Sequence, residues 1–345
     1  MNELLHTIDE YRRLGIANQI DYKKFYLYSI ITHSTAIEGS TVTEIENQLL
    51  FDEGITAPGR TLQEQMMNLD LKVAYEEAQR LASQHADYSV ELLCRLSSIV
   101  MKNTGSTYNT PLGSFSAANG DLRLVNVTAG YGGRSYLAFQ KVPQALKDFC
   151  YWLNDERKKM PKNDIIAAYR LSFQAHYRLV SIHPWADSNG RMSRLVMNML
   201  QYEYNLIPVK VLKEQKAEYI QALNDTRNNG DESIFLDVML HLHNQNLQSE
   251  INAYKTSIND IIVGKDVGKD VGKGQSVHRQ KLNERQYLIL EMLAKDGTLT
   301  IPQMSGKAAT TERTIQRDLQ YLQQLGLLRR TGGRKEGYWE VSQTI

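Results

Sequence analysis

The tetrapeptide Val-Gly-Lys-Asp, repeated with one variation from Val263 to Gly274, requires this chain to fold in parts. A glycine at every fourth position and the lack of an aliphatic stripe leave the segment neither a stable helix nor a face to bury. It reads as a loosely structured linker over residues 251–280, its three lysines solvated or serving as a binding tail. The 345 residues therefore divide into a long body and a compact unit at 281–345, in keeping with roughly 100–200 residues per domain. At 42% hydrophobic there is ample material for a core. Forty Lys and Arg against 39 Asp and Glu give a net charge of +1, so the average chain is no polycation for nucleic acid or acidic membranes. Two cysteines, Cys94 and Cys150, exclude a disulfide scaffold and a cysteine-built zinc site. The N-terminus lacks the basic-then-apolar pattern of a secretory signal, and no apolar run nears the ~20 residues of a membrane span. The expectation is a soluble, cytoplasmic protein that does not enter the membrane.

Periodicity predicts a mainly α fold. Apolar spacing predicts helices over 21–37, stopped by Gly39, over 62–84, and over 89–101 with Ser89 as cap. From Gly113 to Val142, five glycines and two short β-prone runs, Leu122–Val127 and Ser135–Phe139, predict a hairpin. Helices are expected again over 142–154, 164–181, 190–204, 213–224 and 232–248. Beyond the linker the pattern predicts helices at 284–294, 300–306 and 311–325, then a Gly-rich basic hairpin over 328–341. His241 and His243, two apart near a helix end, read as surface residues.

The segment that carries chemistry is His183-Pro184-Trp185-Ala186-Asp187-Ser188-Asn189-Gly190-Arg191-Met192-Ser193-Arg194. Pro184 drives His183 out of helical geometry, so one helix ends with an imidazole at the loop entrance. Asn189 and Gly190 open the next helix, whose first turn offers unpaired N–H groups and the positive dipole end to an anion. Arg191 and Arg194, three apart, share a face and can fork onto phosphate oxygens. Asp187 is the only carboxylate of the loop, and Mg²⁺ favours one or two carboxylates with phosphate oxygens and waters. Base, metal ligand, anion cradle and two guanidinium groups within twelve residues are equipment for phosphoryl-type transfer. Singly, each of these features is ordinary structure: a helix end, a turn, a solvated Arg pair. The strongly apolar helix that follows (Leu195, Val196, Met199, Leu200) would anchor them rigidly together.

The segment resembles the signature of Fic (fido) proteins, His-Pro-Phe-x-Asp/Glu-Gly-Asn-Gly-Arg-x-x-Arg, at nearly every functional position. Similarity around it covers about residues 89–248, which sets a Fic catalytic domain at 89–250 behind an N-terminal helical region at 1–88. The resemblance implies transfer of AMP from ATP to a Tyr, Thr or Ser hydroxyl of a protein. It implies that His183 is the general base and that Asp187 holds Mg²⁺ against the α- and β-phosphates. Ser188, Asn189 and Gly190 would border the phosphates, with Arg191 on them and Arg194 on the γ-phosphate. The hairpin Leu122–Phe139 would be the flap that pairs with the target segment as an added strand. Ala129, Gly130, Tyr131 and Gly132 would meet the nucleotide, and Tyr219 would border the adenine.

Two positions depart from the family pattern. Trp185 replaces Phe as an aromatic anchor. Ser188 replaces the first Gly and is strained if that position needs a positive φ. Gly190 is retained where the phosphate-transferring branch has Lys, which points to AMP transfer.

Ser34-Thr35-Ala36-Ile37-Glu38-Gly39 resembles the family's inhibitory motif, Ser/Thr-x-x-x-Glu-Gly/Asn. The resemblance implies that Glu38 pairs with Arg194 and takes the place of the γ-phosphate. The same site run in reverse, removing AMP from a target, is the alternative activity. A nucleotide-sensing, DNA-binding transcription regulator is the alternative from another class, and the intact His183 and Asp187 argue against it.

Residues 281–345 hold ten Lys and Arg against seven Asp and Glu, a net +3. Thr311–Leu319 looks like the recognition helix of a winged helix-turn-helix, with Arg329, Arg330, Arg334 and Lys335 on the wing around Gly332-Gly333. Such a unit binds DNA or serves as a dimerisation or docking module. The expected partners are thus a protein hydroxyl, with self-AMPylation, DNA and a homodimer left open. No His pairing resembles a zinc site.

Overall fold

The computed structural model describes residues 2–129, 135–161, 163–263, 284–308, 310–324, 327–331 and 338–341. Two compact units emerge, one up to Ile251 and one from Asn252 onward. Among the described residues, no helix is long and apolar enough to cross a membrane.

The first unit opens with α1 (Asn2–Arg13) and α2 (Tyr22–Ile37), the latter followed by Glu38 and by Gly39 at φ +104°. α3 (Glu44–Glu53) and α4 (Leu62–Ser83) each begin with a full capping box. Thr43 and Thr61 accept the N–H three residues on, and Glu46 and Glu64 return the bond. α5 (Val90–Val100) starts at Ser89, whose hydroxyl accepts from Leu92 N. A short antiparallel pair, β1 (Thr107–Thr110) and β2 (Gly113–Ser116), stacks Tyr108 on Phe115. α6 (Val142–Lys159), α7 (Ile165–Ile182), α8 (Asn189–Glu203), α9 (Lys216–Asn229) and α10 (Glu232–Val263) follow.

α8 is the axis of this unit. Met192, Leu195, Val196, Met199 and Leu200 are fully buried, and packing closes over the helix on nearly every side. Its polar residues are met inside the core: Asn198 accepts from Tyr75 OH at 2.7 Å, and Gln201 Nε2 donates to Ser172 Oγ at 2.9 Å. Leu71, Ala74 and Ala78 of α4, and Leu171, Ala175 and Leu179 of α7, join the same core. The C-terminal half of α2 is tied down by a buried amide network. Asn68 Oδ1 accepts from Asn47 Nδ2 at 2.9 Å and lies 2.8 Å from Thr35 Oγ1, while Asn68 Nδ2 donates to Ser40 Oγ at 3.2 Å.

Three expectations are corrected. The hairpin expected over Leu122–Phe139 is not a ladder; among the described residues it reduces to one bridge, Thr128 with Ser135, and a bond from Tyr136 N to Val127 O. Arg123, 1% exposed, lies inside this segment and bonds the Val125 and Leu137 carbonyls. The regular hairpin lies earlier, at β1–β2. Second, α10 continues to Val263 rather than ending at Gln248. Leu247, Ile251 and Tyr254 carry an apolar spacing of four and three past that point. Third, His243 is buried, at 1% exposure, and bonds Tyr169 OH at 3.0 Å, whereas His241 is exposed.

The second unit has the expected order: α11 (Glu284–Lys295), α12 (Ile301–Lys307), α13 (Glu312–Gln324), then β3 (Leu328–Thr331) paired with β4 (Tyr338–Val341). Ile289, Leu293, Met304, Ile315, Leu319 and Trp339 are among its core residues. Asp318 of α13, 2% exposed, accepts from Arg285 and Gln286 of α11 and locks the two helices. Arg313, Gln316, Arg317 and Gln320 lie exposed along α13. The repeat after Val263 lies outside the described residues, as do Gly332, Gly333, Arg334 and Lys335 of the wing.

Candidate active site

The loop between α7 and α8 is held at both ends in left-handed backbone. His183 closes α7 at φ 54° and Ser188 precedes α8 at φ 74°. The strain expected of Ser in place of Gly is thus present, costing about 1–2 kcal/mol. Ser188 Oγ, however, lies 3.1 Å from Ser97 Oγ, a partner that glycine would lack. Two residues stiffen the turn. Trp185 is fully buried and donates from its indole to Gly120 O at 3.1 Å. The Asn189 side chain grips both the N–H and the carbonyl of Trp185, at 3.1 and 2.9 Å, so its amide holds the loop and only its backbone N–H is left for an anion.

The His183 imidazole is held neutral. Burial pushes its imidazole pKa down to about 4; Arg123 and Arg227 push the same way, while the Val180 carbonyl and Glu38 oppose them. Nδ1 lies 3.2 Å from Val180 O, which assigns the proton to Nδ1 and leaves the Nε2 lone pair free. Arg123 Nε donates to the His183 carbonyl at 2.7 Å, and Tyr136 stacks on the imidazole with centroids 3.8 Å apart. Arg123, Tyr136 and Arg227 were not anticipated. The one signal for Arg123 was a charge inside the apolar run Leu122-Arg123-Leu124-Val125; Tyr136 and Arg227 carried none.

The other side of the loop is an anion cradle, and the protein's own carboxylate is in it. Glu38 Oε1 lies 2.6 Å from Arg194 Nη2. A Cβ on Gly190 would sit 2.4 Å from the same oxygen, so the carboxylate rests against the first turn of α8. Arg194, 3% exposed, also donates from Nε to Ser34 Oγ at 2.8 Å and from Nη2 to Ser34 O at 2.9 Å. Both ends of the Ser34–Glu38 motif therefore hold one guanidinium. Burial opposes ionisation of Glu38, but Arg194, then Arg191 and Lys216, outweigh it and hold the carboxyl below its usual range. Burial likewise opposes the charge on Arg194, and Glu38 more than restores it, raising its pKa.

Arg191 is 3% exposed, yet its Nε and Nη1 have no hydrogen-bond partner among the described residues. Its Nη2 reaches Asp187 Oδ1 at 3.3 Å and Met101 Sδ at 3.1 Å. A buried guanidinium with two free donors beside a helix N-terminus is built to receive an anion. Asp187, 57% exposed, accepts from Ser188 N at 2.5 Å. Tyr219 takes a different place from the one expected. It is 1% exposed, with its hydroxyl 3.5 Å from Arg194 Nη1 and 2.9 Å from His176 Nε2, so in this state it buttresses Arg194 and has no open face for a base. Ala129 is exposed; Gly130, Tyr131 and Gly132 lie outside the described residues.

The folded pKa of Glu38 lies below its ordinary value of 4.5. The contribution of its pair with Arg194 to stability is therefore complete above that value and is lost as the pH falls through the lower, folded one. Glu38→Gln is expected to be less stable than wild type near pH 7, and the gap should narrow as the pH falls below 4.5 toward the lower, folded value. Urea unfolding at several pH values reads this; a gap that widens as the pH falls below 4.5 would contradict it.

Comparison with known proteins gives a family match for each of two segments. Residues 87–201 match the model of the Fic/DOC family, and residues 285–336 match that of the DeoR-like helix-turn-helix domain. The chain is 26% identical over 245 residues to the protein adenylyltransferase fic-1 of Caenorhabditis elegans, covering 70% of this chain and 44% of the relative. It is 27% identical to the protein adenylyltransferase Fic of Drosophila persimilis, covering 66% and 44%. The chain thus spans less than half the length of these curated relatives. Among solved structures, a Fic-domain signalling protein from Bacteroides thetaiotaomicron superposes with a TM-score of 0.62 at 19% identity, over 74% of this chain and 98% of that one. A Fic family protein from Desulfovibrio desulfuricans gives 0.57 at 16%, over 99% and 97%. At these identities the likeness concerns the fold. The chain carries a Fic/DOC family domain at residues 87–201, followed by a DeoR-like helix-turn-helix domain at 285–336.

Proposed function

We propose that the chain is an autoinhibited protein adenylyltransferase. The acceptor is a Tyr, Thr or Ser hydroxyl of a protein. His183 Nε2 takes the hydroxyl proton as its oxygen attacks the α-phosphorus of ATP; the bond to the β-phosphate oxygen breaks and pyrophosphate leaves. A neutral imidazole with its proton on Nδ1 suits that role. The backbone N–H groups of Asn189 and Gly190 and the two free donors of Arg191 suit the phosphates, whose charge grows toward the leaving group. Arg194 takes the γ-phosphate. Among the described residues no three His, Cys, Asp or Glu groups converge as a metal site. The single loop carboxylate therefore suits an ion that arrives with the nucleotide: Asp187 would hold Mg²⁺, which supplies neutralisation of phosphate charge.

One observation carries the reading: the Glu38 carboxylate lies in the cradle, 2.6 Å from Arg194. The cradle binds an anion, and that anion stands where the γ-phosphate would. ATP then competes with a tethered carboxylate and settles with its α-phosphate out of line for attack. The adenylyltransferase names of the relatives support the reaction class.

A second partner has its own support. The DeoR-like match and the exposed Arg313, Gln316, Arg317 and Gln320 of α13 suit a helix that enters a major groove. Binding of this kind is expected to weaken steeply as salt rises. An affinity for duplex DNA that is flat between low and physiological salt, or unchanged in Arg317→Ala, would count against it.

For the reaction itself, Glu38→Gly should raise labelling of the chain or its target from ATP by on the order of tenfold or more, and His183→Ala should abolish it in either background. Intact mass spectrometry after incubation with ATP and Mg²⁺ reads the added AMP. Equal labelling of wild type and Glu38→Gly would remove the inhibitory role, and labelling that survives His183→Ala would remove the base.

A further inference from the structure

Tyr136 and Arg227 take no part in the steps above, yet both are built around the base. The Tyr136 ring lies nearly parallel to the His183 imidazole, at 19° and 3.8 Å between centroids. The Arg227 guanidinium of α9 sits 4.6 Å from the centre of the same tyrosine ring and donates to the carbonyl of the preceding residue, Ser135. Tyr136 N is in turn bonded to Val127 O, and Arg123 grips the next carbonyl, Leu137 O. Three consecutive residues, 135 to 137, are thus held from three directions, and the ring between them presses on the imidazole.

An imidazole bound only through Nδ1 can still pivot about its Cβ–Cγ bond; a ring stacked on its face removes that freedom. The same ring keeps water from that face. Arg123 from the flap and Arg227 from α9 oppose a positive charge on His183, and Glu38 at the end of α2 favours one. We propose that Tyr136, clamped by Arg227, is a positioning residue for the base: the flap, besides receiving the acceptor, fixes the plane of the His183 imidazole and keeps it dry. The strength of the base is then coupled to the seating of the flap. When the flap is seated, the imidazole is neutral and aimed; when it lifts, the imidazole rehydrates and is more readily protonated. The inference rests on the proposed transfer reaction for its kinetic consequence alone.

The test is an NMR titration of the His183 imidazole in the full chain, comparing wild type with Tyr136→Phe, Tyr136→Ala and Arg227→Gln. Wild type and Tyr136→Phe should titrate together near pH 4. Tyr136→Ala should titrate higher by about one pH unit or more, toward the ordinary histidine value, with Arg227→Gln shifted the same way by less. Tyr136→Ala titrating with wild type, or Tyr136→Phe shifting as far as Tyr136→Ala, would overturn the proposal. In the Glu38→Gly background, Tyr136→Ala should lose AMP transfer in kcat rather than in KM for ATP at every pH, with a further loss where the acid limb of its profile moves up, and Phe should restore both. A loss with no displacement of the acid limb would also overturn it. Should Glu38→Gly transfer no AMP at all, the proposed reaction fails while the titration still decides the role of Tyr136.

Discussion

Arg194 is a charge that the fold has buried, at 3% exposure, and a buried guanidinium needs an anion or strong dipoles around it. Four hydrogen bonds meet that need here: Ser34 Oγ, Ser34 O, Glu38 and Tyr219 OH. Much of the surrounding structure serves this arrangement. α8 is packed on almost every face so that its first turn cannot shift. The amide network of Asn47 and Asn68 holds the end of α2 so that Ser34 and Glu38 arrive in register. Breaking a fully buried pair costs about 3–5 kcal/mol, less here because the Glu38 side chain is 34% exposed. The pair is asymmetric: the Arg194 side chain is 4% exposed, whereas that of Glu38 borders solvent.

The other half of the site follows a different rule. Among the described residues His183 hydrogen-bonds no carboxylate; its Nδ1 lies on Val180 O, its carbonyl accepts from Arg123, and Tyr136 stacks on its ring. Two guanidinium groups and burial keep it neutral. The Arg194 side and the His183 side are thus tuned by opposite means, one by satisfying a buried charge and the other by preventing one.

Where chemistry is contiguous in the chain it could be read directly. The helices of the core follow their apolar spacing, Ser89 caps where a cap is expected, and the 183–194 segment gathers its residues by local geometry. The Ser34–Glu38 motif was legible as a hexapeptide resembling a family motif; that Ser34 also holds Arg194 is seen only in the fold. Arg123 was not legible: a charge in an apolar run reads as the outward residue of a strand, and its burial depends on carbonyls at 125, 137 and 183 that only the fold brings together. The β-prone runs 122–127 and 135–139, plain in the sequence, make one bridge among the described residues. Tyr136 and Arg227 are 91 residues apart and meet only in space.

The most direct measurement of the central claim is the structure of wild type and of Glu38→Gly, each bound to a non-hydrolysable ATP analogue. If Glu38 occupies the place of the γ-phosphate, Arg194 will contact that phosphate in Glu38→Gly and will remain on Glu38 in wild type. A wild-type complex with the γ-phosphate on Arg194 and Glu38 still in its present position would contradict the account.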